Sequence, residues 1–351
     1  MKVAFILFNN KERAPYLYYY TRIADKLNID YDIILWDRFG RYDYNKNKEF
    51  VFKENIIDSK NKIKKIYPFF KYAAFVKEVL SSWNYNKVVV FTSQQSLLLG
   101  EFLIKNNIKY AIDIRDYSCE KIPGIKFILK RYIRKSEFTV ISAPDFKKFL
   151  PQSNYILCHN IGSDNALRKN AIAGKTDVIK IAYVGGIGYY DEVSRFLLTI
   201  KNDSRFLFEF YGIGSAELNL KSFCSDNKIE NCFFYGEYCP EDKDKILSKV
   251  HILYNCYGNS NNVVKFALSN KLYDAFKFGI PLLVSPNTSM ESTAGFLGLP
   301  INTADSDNAN KIYKWYHSIN WVNFTKKSHE QYNNFLRENL IFENRFVEFL
   351  K

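Results

Sequence analysis

Lys271 and Asp274 stand three residues apart within Ser269-Asn270-Lys271-Leu272-Tyr273-Asp274-Ala275-Phe276-Lys277-Phe278-Gly279-Ile280-Pro281. On a helix starting near Asn270 that spacing sets an ammonium and a carboxylate on one face, able to address one ligand together. A lysine in the first turn opposes the helix dipole, which favours an anionic partner over a helix-start role. The competing reading is a surface Lys–Asp pair on an amphipathic helix. Upstream, Val184-Gly185-Gly186-Ile187-Gly188 and Tyr211-Gly212-Ile213-Gly214 each follow an apolar run. Glycine lets backbone approach a phosphate, and the helix that follows offers free N–H groups to an anion. Two tight strand-to-helix turns without a ligand would look the same. Neither turn completes a dinucleotide fingerprint, because Asp191 and Glu217 hold the place of its third glycine; this counts against a nicotinamide oxidoreductase. In the first half, Asp116 at a strand end is placed to orient or deprotonate a hydroxyl, or equally to cap a helix.

The elements that must position these residues alternate along the chain. Strands are expected near Val3–Phe8, Ile33–Trp36, Val88–Thr92, Tyr110–Ile114, Phe138–Ser142 and Tyr155–His159, with helices at Tyr16–Leu27, Lys62–Ser82, Gln95–Asn106 and Gly124–Lys135. β-Branched and aromatic runs alternating with helical patterns mark parallel strands joined by crossover helices. A polar stretch rich in turn-forming residues, 162–177, reads as a linker. A second series follows, with strands at Ile179–Val184, Phe206–Tyr211, Cys232–Tyr235, Ile252–Asn255 and Pro281–Ser285, and helices at Glu192–Lys201, Ala216–Asn227, Pro240–Lys249 and Asn270–Phe278. The expected fold class is therefore α/β, with Rossmann-like doubly wound domains at 1–161 and 178–330 facing across a cleft that holds the active site. Residues Lys311–Lys351 read as helical, and 331–351 as a helix bracing the two domains.

The 351 residues carry 50 Lys and Arg against 37 Asp and Glu, a net charge of +13 that predicts attraction to anionic ligands or surfaces. Lys126-Phe127-Ile128-Leu129-Lys130-Arg131-Tyr132-Ile133-Arg134-Lys135 sets five of those bases beside an apolar stripe. Such a helix suits either an anionic leaflet or ordinary core packing with a solvated basic face. Clusters of bases interleaved with exposed aromatics, or a recognition-helix motif, are not evident, so a basic nucleic-acid-binding protein is the weaker alternative. Six scattered cysteines read as reduced, packed thiols. His251 opens a strand, and His317 and His329 show no partner spacing. With no secretory leader and no apolar stretch of about 20 residues, the expected location is cytoplasmic, with peripheral contact at the inner membrane face through 126–135.

These landmarks, in this order, resemble the retaining, family-4-type glycosyltransferases of GT-B fold found in capsule and O-antigen loci of bacteria. The resemblance rests on the Val184-Gly185 turn, the Tyr211-to-Gly214 turn, Phe233-Phe234-Tyr235-Gly236-Glu237 before a Pro-initiated helix, and the Asn270–Pro281 segment. Asp113-Ile114-Arg115-Asp116 and His159-Asn160-Ile161-Gly162 also look like family landmarks. It implies transfer of a hexose or N-acetylhexosamine from a nucleotide diphosphate sugar, UDP favoured, to a glycan or lipid-linked acceptor with retention. A sugar-nucleotide 2-epimerase shares the architecture. By the resemblance, 1–161 takes the acceptor and 178–330 the donor. Asp274 would bind the ribose, Lys271 the diphosphate, and Gly236, Glu237 and Tyr238 the base, while Gly186, Gly188, Tyr211, Gly212, Gly214, Asn262, Lys265, Asn270 and Leu272 complete the donor side. Asp116, Lys271 and Asp274 would be the catalytic residues, with Arg13, Arg115 and His159 on the acceptor side. A cation and helix N-terminal amides would stabilise the leaving diphosphate, so neither metal nor cofactor is expected. The chain departs from the pattern in two places: Phe266 stands where a first carboxylate is usual, and no base occurs from Gly186 to Glu192.

Overall fold

Apolar residues in unbroken runs, rather than alternating with polar ones, build strands covered on both faces, and such runs form Val3–Ile6, Val88–Phe91 and Leu282–Val284. The computed structural model describes residues 2–38, 40, 48–54, 62–162 and 164–351. The chain divides into two units, Met1–Asn160 with Arg337–Lys351, and Ile161–Leu336.

In the first unit the order is β1 (Lys2–Ile6), α1 (Leu17–Lys26), β2 (Asp30–Asp37), β3 (Glu49–Lys53), α2 (Lys62–Ser82), β4 (Lys87–Phe91), α3 (Ser93–Lys105), β5 (Lys109–Ile114), α4 (Ile125–Lys135), β6 (Phe138–Ile141) and β7 (Tyr155–Leu157). All strand pairs are parallel, in the order β3-β2-β1-β4-β5-β6-β7. β3 was not expected from sequence. Its short run Glu49-Phe50-Val51-Phe52-Lys53 is charged at both ends and only partly buried, as suits an edge strand. One face of this sheet is closed by α1 and by Phe342, Phe346 and Phe349, which pack with Phe5, Val89 and Val140.

The second unit runs β8 (Ile179–Val184), α5 (Tyr190–Thr199), β9 (Phe206–Tyr211), α6 (Glu217–Asp226), β10 (Cys232–Phe234), α7 (Lys243–Leu247), β11 (Ile252–Asn255), α8 (Asn262–Phe266), α9 (Asn270–Phe278), β12 (Leu282–Val284), α10 (Ser289–Ala294), β13 (Gly298–Pro300), α11 (Asn308–Ser318) and α12 (Trp321–Leu350), the last counted from Arg337 onward with the first unit. Its parallel sheet is ordered β10-β9-β8-β11-β12-β13. Period-two alternation splits each strand between two cores. Ile181 and Tyr183 join Phe208, Phe210 and Tyr254 on one face, and Ala182 and Val184 join Leu272, Ala275 and Phe276 on the other.

Several boundaries differ from expectation for local reasons. Pro240 starts a single 3-10 turn, and the helix proper begins only at Lys243. Asn262 and Lys265, given no element by the sequence pattern, lie on α8, which is capped by the Asn261 side chain on Val263 N–H. The helical tail breaks at Ile319-Asn320 into α11 and α12. The polar stretch after Ile161 contains no helix or strand among its described residues and is fastened to the second unit. Arg168 pairs with Asp244 at 3.0 Å, and Asn170 Nδ2 donates to the Val250 carbonyl at 2.9 Å.

Candidate functional site

The order of the second sheet reverses between β8 and β11, so the loops leaving those two strands part there and open a crevice. The loop after β8 is held from below: the Tyr183 hydroxyl donates to the Gly186 carbonyl at 3.0 Å and accepts from Gly188 N–H at 3.3 Å. Its last residue, Tyr189, takes the left-handed conformation (φ 58°) and caps α5. Across the switch point its ring stacks on Tyr257, which follows β11, with centroids 4.2 Å apart and planes 12° from parallel.

Lys271 enters this corner from α9. Ser269 caps that helix by accepting from Lys271 N–H, and Gly279, in the left-handed region, ends it. The Lys271 side chain is buried, and its Nζ lies 2.5 Å from the Tyr257 hydroxyl and 4.6 Å from the Tyr183 ring centre. The same Nζ is 3.9 Å from where a Cβ on Gly185 would stand. Burial lowers the affinity of this ammonium for its proton, and nearby Lys243 adds to the effect, while Tyr183 and Asp274 oppose it. Asp274 is turned elsewhere, pairing with Lys243 at 2.7 Å. The structure therefore resolves the expected Lys271–Asp274 couple into two separate contacts, and Lys243, Tyr183, Tyr189 and Tyr257 join the site without any signal in sequence spacing.

The two glycine turns interlock. Gly185 N–H donates to the Tyr211 carbonyl at 2.8 Å, and Ile187 N–H to the Ile213 carbonyl at 3.1 Å. A Cβ on Gly212 (φ +124°) would stand 2.2 Å from the Gly185 carbonyl oxygen, and one on Gly214 would stand 2.1 Å from that of Ile187. Glycine at 212 and 214 is thus required by packing of turn on turn, whereas Gly186 and Gly188 face open space. Tyr211 stacks on Tyr235 at 4.7 Å and donates to Glu209 at 3.0 Å. Gly236 accepts from Gly212 N–H at 2.7 Å; Glu237 is exposed and Tyr238 half-buried beside it. Asn262 and Asn270 are exposed first residues of α8 and α9, Lys265 is half-buried, and Leu272 is wholly in the core, so only its backbone is available to a ligand.

In the first unit, Arg115 is buried and committed to structure: it donates to Asp113 and to the Cys158 carbonyl, at 2.7 and 2.8 Å. Tyr20 also donates to Asp113, at 2.7 Å. His159 is likewise buried, tied to Asn339 through its backbone and to Glu338 through Nε2 at 2.6 Å. Asp116 stands exposed beyond β5, and its crowded surroundings raise its carboxyl above the usual carboxylate range. Arg13 is exposed before α1. Asp-x-Asp, a sequence able to hold a divalent ion, occurs at Asp30–Asp32, Asp242–Asp244 and Asp305–Asp307. Each of these has a cation on a carboxylate: Lys48 and Lys2, Lys245 and Arg168, and Lys311.

No family model matches this chain, and no curated protein matches it in sequence. Solved structures do match along its whole length. Sucrose-phosphate synthase from Thermosynechococcus elongatus superposes with a TM-score of 0.69 at 11% identity, covering 99% of this chain and 100% of the other. The lipopolysaccharide outer core galactosyltransferase WaaB, in its apo form, gives 0.67 at 13% identity over 98% of this chain and 100% of that one. Anabaena HepE in complex with UDP gives 0.68 at 9% identity over 99% and 100%. The fold is therefore GT-B, with two Rossmann-like units.

Proposed function

We propose that the protein is a glycosyltransferase that takes a hexose or N-acetylhexosamine from a UDP-sugar and passes it to a glycan or lipid-linked acceptor with retention. The observation that carries the reading is the buried Lys271 ammonium brought to the Gly185 turn at the switch point of the second sheet. A cation, a glycine turn and the start of α5 in one corner are the parts needed to hold a diphosphate and to stabilise its charge as it leaves. Lys271 supplies the base missing from Gly186–Glu192, and no metal is required in this reading. The fold shared with a galactosyltransferase and with a UDP-bound structure supports the donor class. The first unit would present the acceptor, with Asp116, held above the usual carboxylate range, as the group nearest in kind to a general base.

Membrane contact belongs to the same proposal. α4 buries Leu129, Tyr132 and Ile133, and leaves Lys126, Arg131, Arg134 and Lys135 exposed together with Phe127 (81%) and Ile128 (43%). A basic face with apolar side chains standing out of it suits an anionic leaflet carrying a lipid-linked acceptor. No helix among the described residues is long and apolar enough to cross a membrane.

A thermal-shift screen against UDP, GDP, CMP, ADP, NAD and a short RNA tests the donor site, since a ligand that binds only the folded state raises its stability. A selective shift with UDP is expected. A shift with RNA or NAD alone overturns the reading, and interconversion of UDP-sugar epimers without transfer replaces it with the epimerase. Retained activity in a chelator is the expected result for transfer without metal.

A further inference from the structure

Arg38 follows β2 at the carboxyl end of the strand, and its guanidinium carbon lies 4.5 Å from the Trp36 ring centre and 5.5 Å from those of Phe8 and Phe69. No hydrogen bond or ion pair with a described residue reaches this guanidinium, and its Nε is buried without a partner. Asp37 beside it is turned to Asn10, whose Nδ2 donates to Asp37 Oδ1 at 3.3 Å. Asn10 Oδ1 is a second buried polar atom left unpaired in the same corner. Arg13, in the turn before α1, adds positive potential here: burial, reinforced by Arg13, lowers the Arg38 pKa to about 10.

A charge half withdrawn from water with no counter-ion among the described residues is costly, and attraction to ring faces offsets only part of that cost. Buried or half-buried charges are kept when something pairs with them. Rings against the faces of a guanidinium leave its planar edge for a bidentate oxyanion. The corner also lies outside the carboxyl ends of β1 and β2, where open α/β sheets bind ligands.

We propose that Arg38 anchors an oxyanion subsite on the first unit, which takes the phosphate or carboxylate of an anionic acceptor. That the ligand is an acceptor rests on the transferase reading; that the subsite binds an oxyanion does not.

The test follows the tryptophan indole N–H resonances of the full-length protein during titration with inorganic phosphate, and separately with acetate, at constant ionic strength. The resonance displaced by R38Q identifies Trp36. Saturable movement of that resonance is expected, with phosphate alone indicating a phosphorylated ligand, acetate alone a carboxylate, and both a general oxyanion site. R38Q should weaken the response at least about tenfold, the loss expected for a charge-assisted hydrogen bond. R38K keeps the charge in the ring corner and so protects the fold, but it loses the planar fork and should weaken the response severalfold. A Trp36 resonance that moves with neither anion, or that moves unchanged in both variants, overturns the assignment. A parallel titration with UDP keeps the two claims apart: failure there sinks the transferase reading and leaves the subsite standing.

Discussion

The Lys271 ammonium rests on the Tyr257 hydroxyl, and the Tyr257 ring rests in turn on Tyr189, so one side chain couples the loop after β11 to both α9 and the loop after β8. The lysine is aimed by this contact toward the Gly185 turn. Lys271→Ala is expected to weaken UDP binding by about 10- to 100-fold, the range for a hydrogen bond to a charged group. Tyr257→Phe keeps the stack and loosens the lysine, for a smaller loss. Calorimetric titration of both variants checks the order, and equal affinity in wild type and Lys271→Ala would remove the lysine from the site.

Lys271 carries a second expectation, for stability without ligand. Its folded pKa lies below the ordinary lysine value because it is buried. The unfolded chain therefore binds more protons between the two values, and stability rises with pH through that window. Below the folded pKa the burial penalty is present in full. Lys271→Met removes it and should stabilise the free protein by about 1 kcal/mol while weakening nucleotide binding as Lys271→Ala does. Urea unfolding of the variant at neutral pH reads the sign, and a destabilised Lys271→Met protein contradicts it.

Gly186 and Gly212 separate ligand approach from packing. Gly212→Ala puts a methyl into the Gly185 carbonyl at a φ of +124° and should cost on the order of 3 kcal/mol. Gly186→Ala meets no atom within 4 Å and should leave the melting temperature unchanged while weakening UDP binding. Melting curves with and without UDP distinguish the two; similar melting temperatures would show the interlocked turns to be looser than their geometry.

His251 provides a pH test of the second unit. Burial, with Lys180 adding, lowers its pKa from 6.5 to about 4, and its Nδ1 accepts from Lys180 N–H at 2.9 Å. A depressed folded pKa contributes stability that is complete above about 6.5 and lost as pH falls toward 4. His251→Asn offers an acceptor in a similar place and does not titrate there, so stability measured from pH 7 to pH 4 should fall less steeply in the variant. Parallel slopes would assign the acid sensitivity to other groups.

Much of the strand-and-helix alternation was legible, because runs such as Lys87-Val88-Val89-Val90-Phe91 are strands by any local criterion and Ser269 and Gly279 bracket α9 with opposite caps. What escaped were elements whose order comes from neighbours. β13, only Gly298–Pro300, has no strand pattern of its own and exists by pairing with β12. The site shows the same division. Lys271 could be picked out by its odd place at a helix start, but Tyr257 and Lys243 are reached only through folding, and nothing in the spacing of Asp113-Ile114-Arg115 says that the arginine is spent on the aspartate two residues before it.

Phe342, Phe346 and Phe349 complete the core around β1, although they lie beyond the entire second unit in sequence. As the chain leaves a ribosome, its first 160 residues emerge with that face covered only in part, by α1, and must wait, through synthesis of everything between, for the aromatic side chains that seal it. The order in which this protein is made is not the order in which it can finish folding, and a chaperone that shields the nascent first unit would act during that interval.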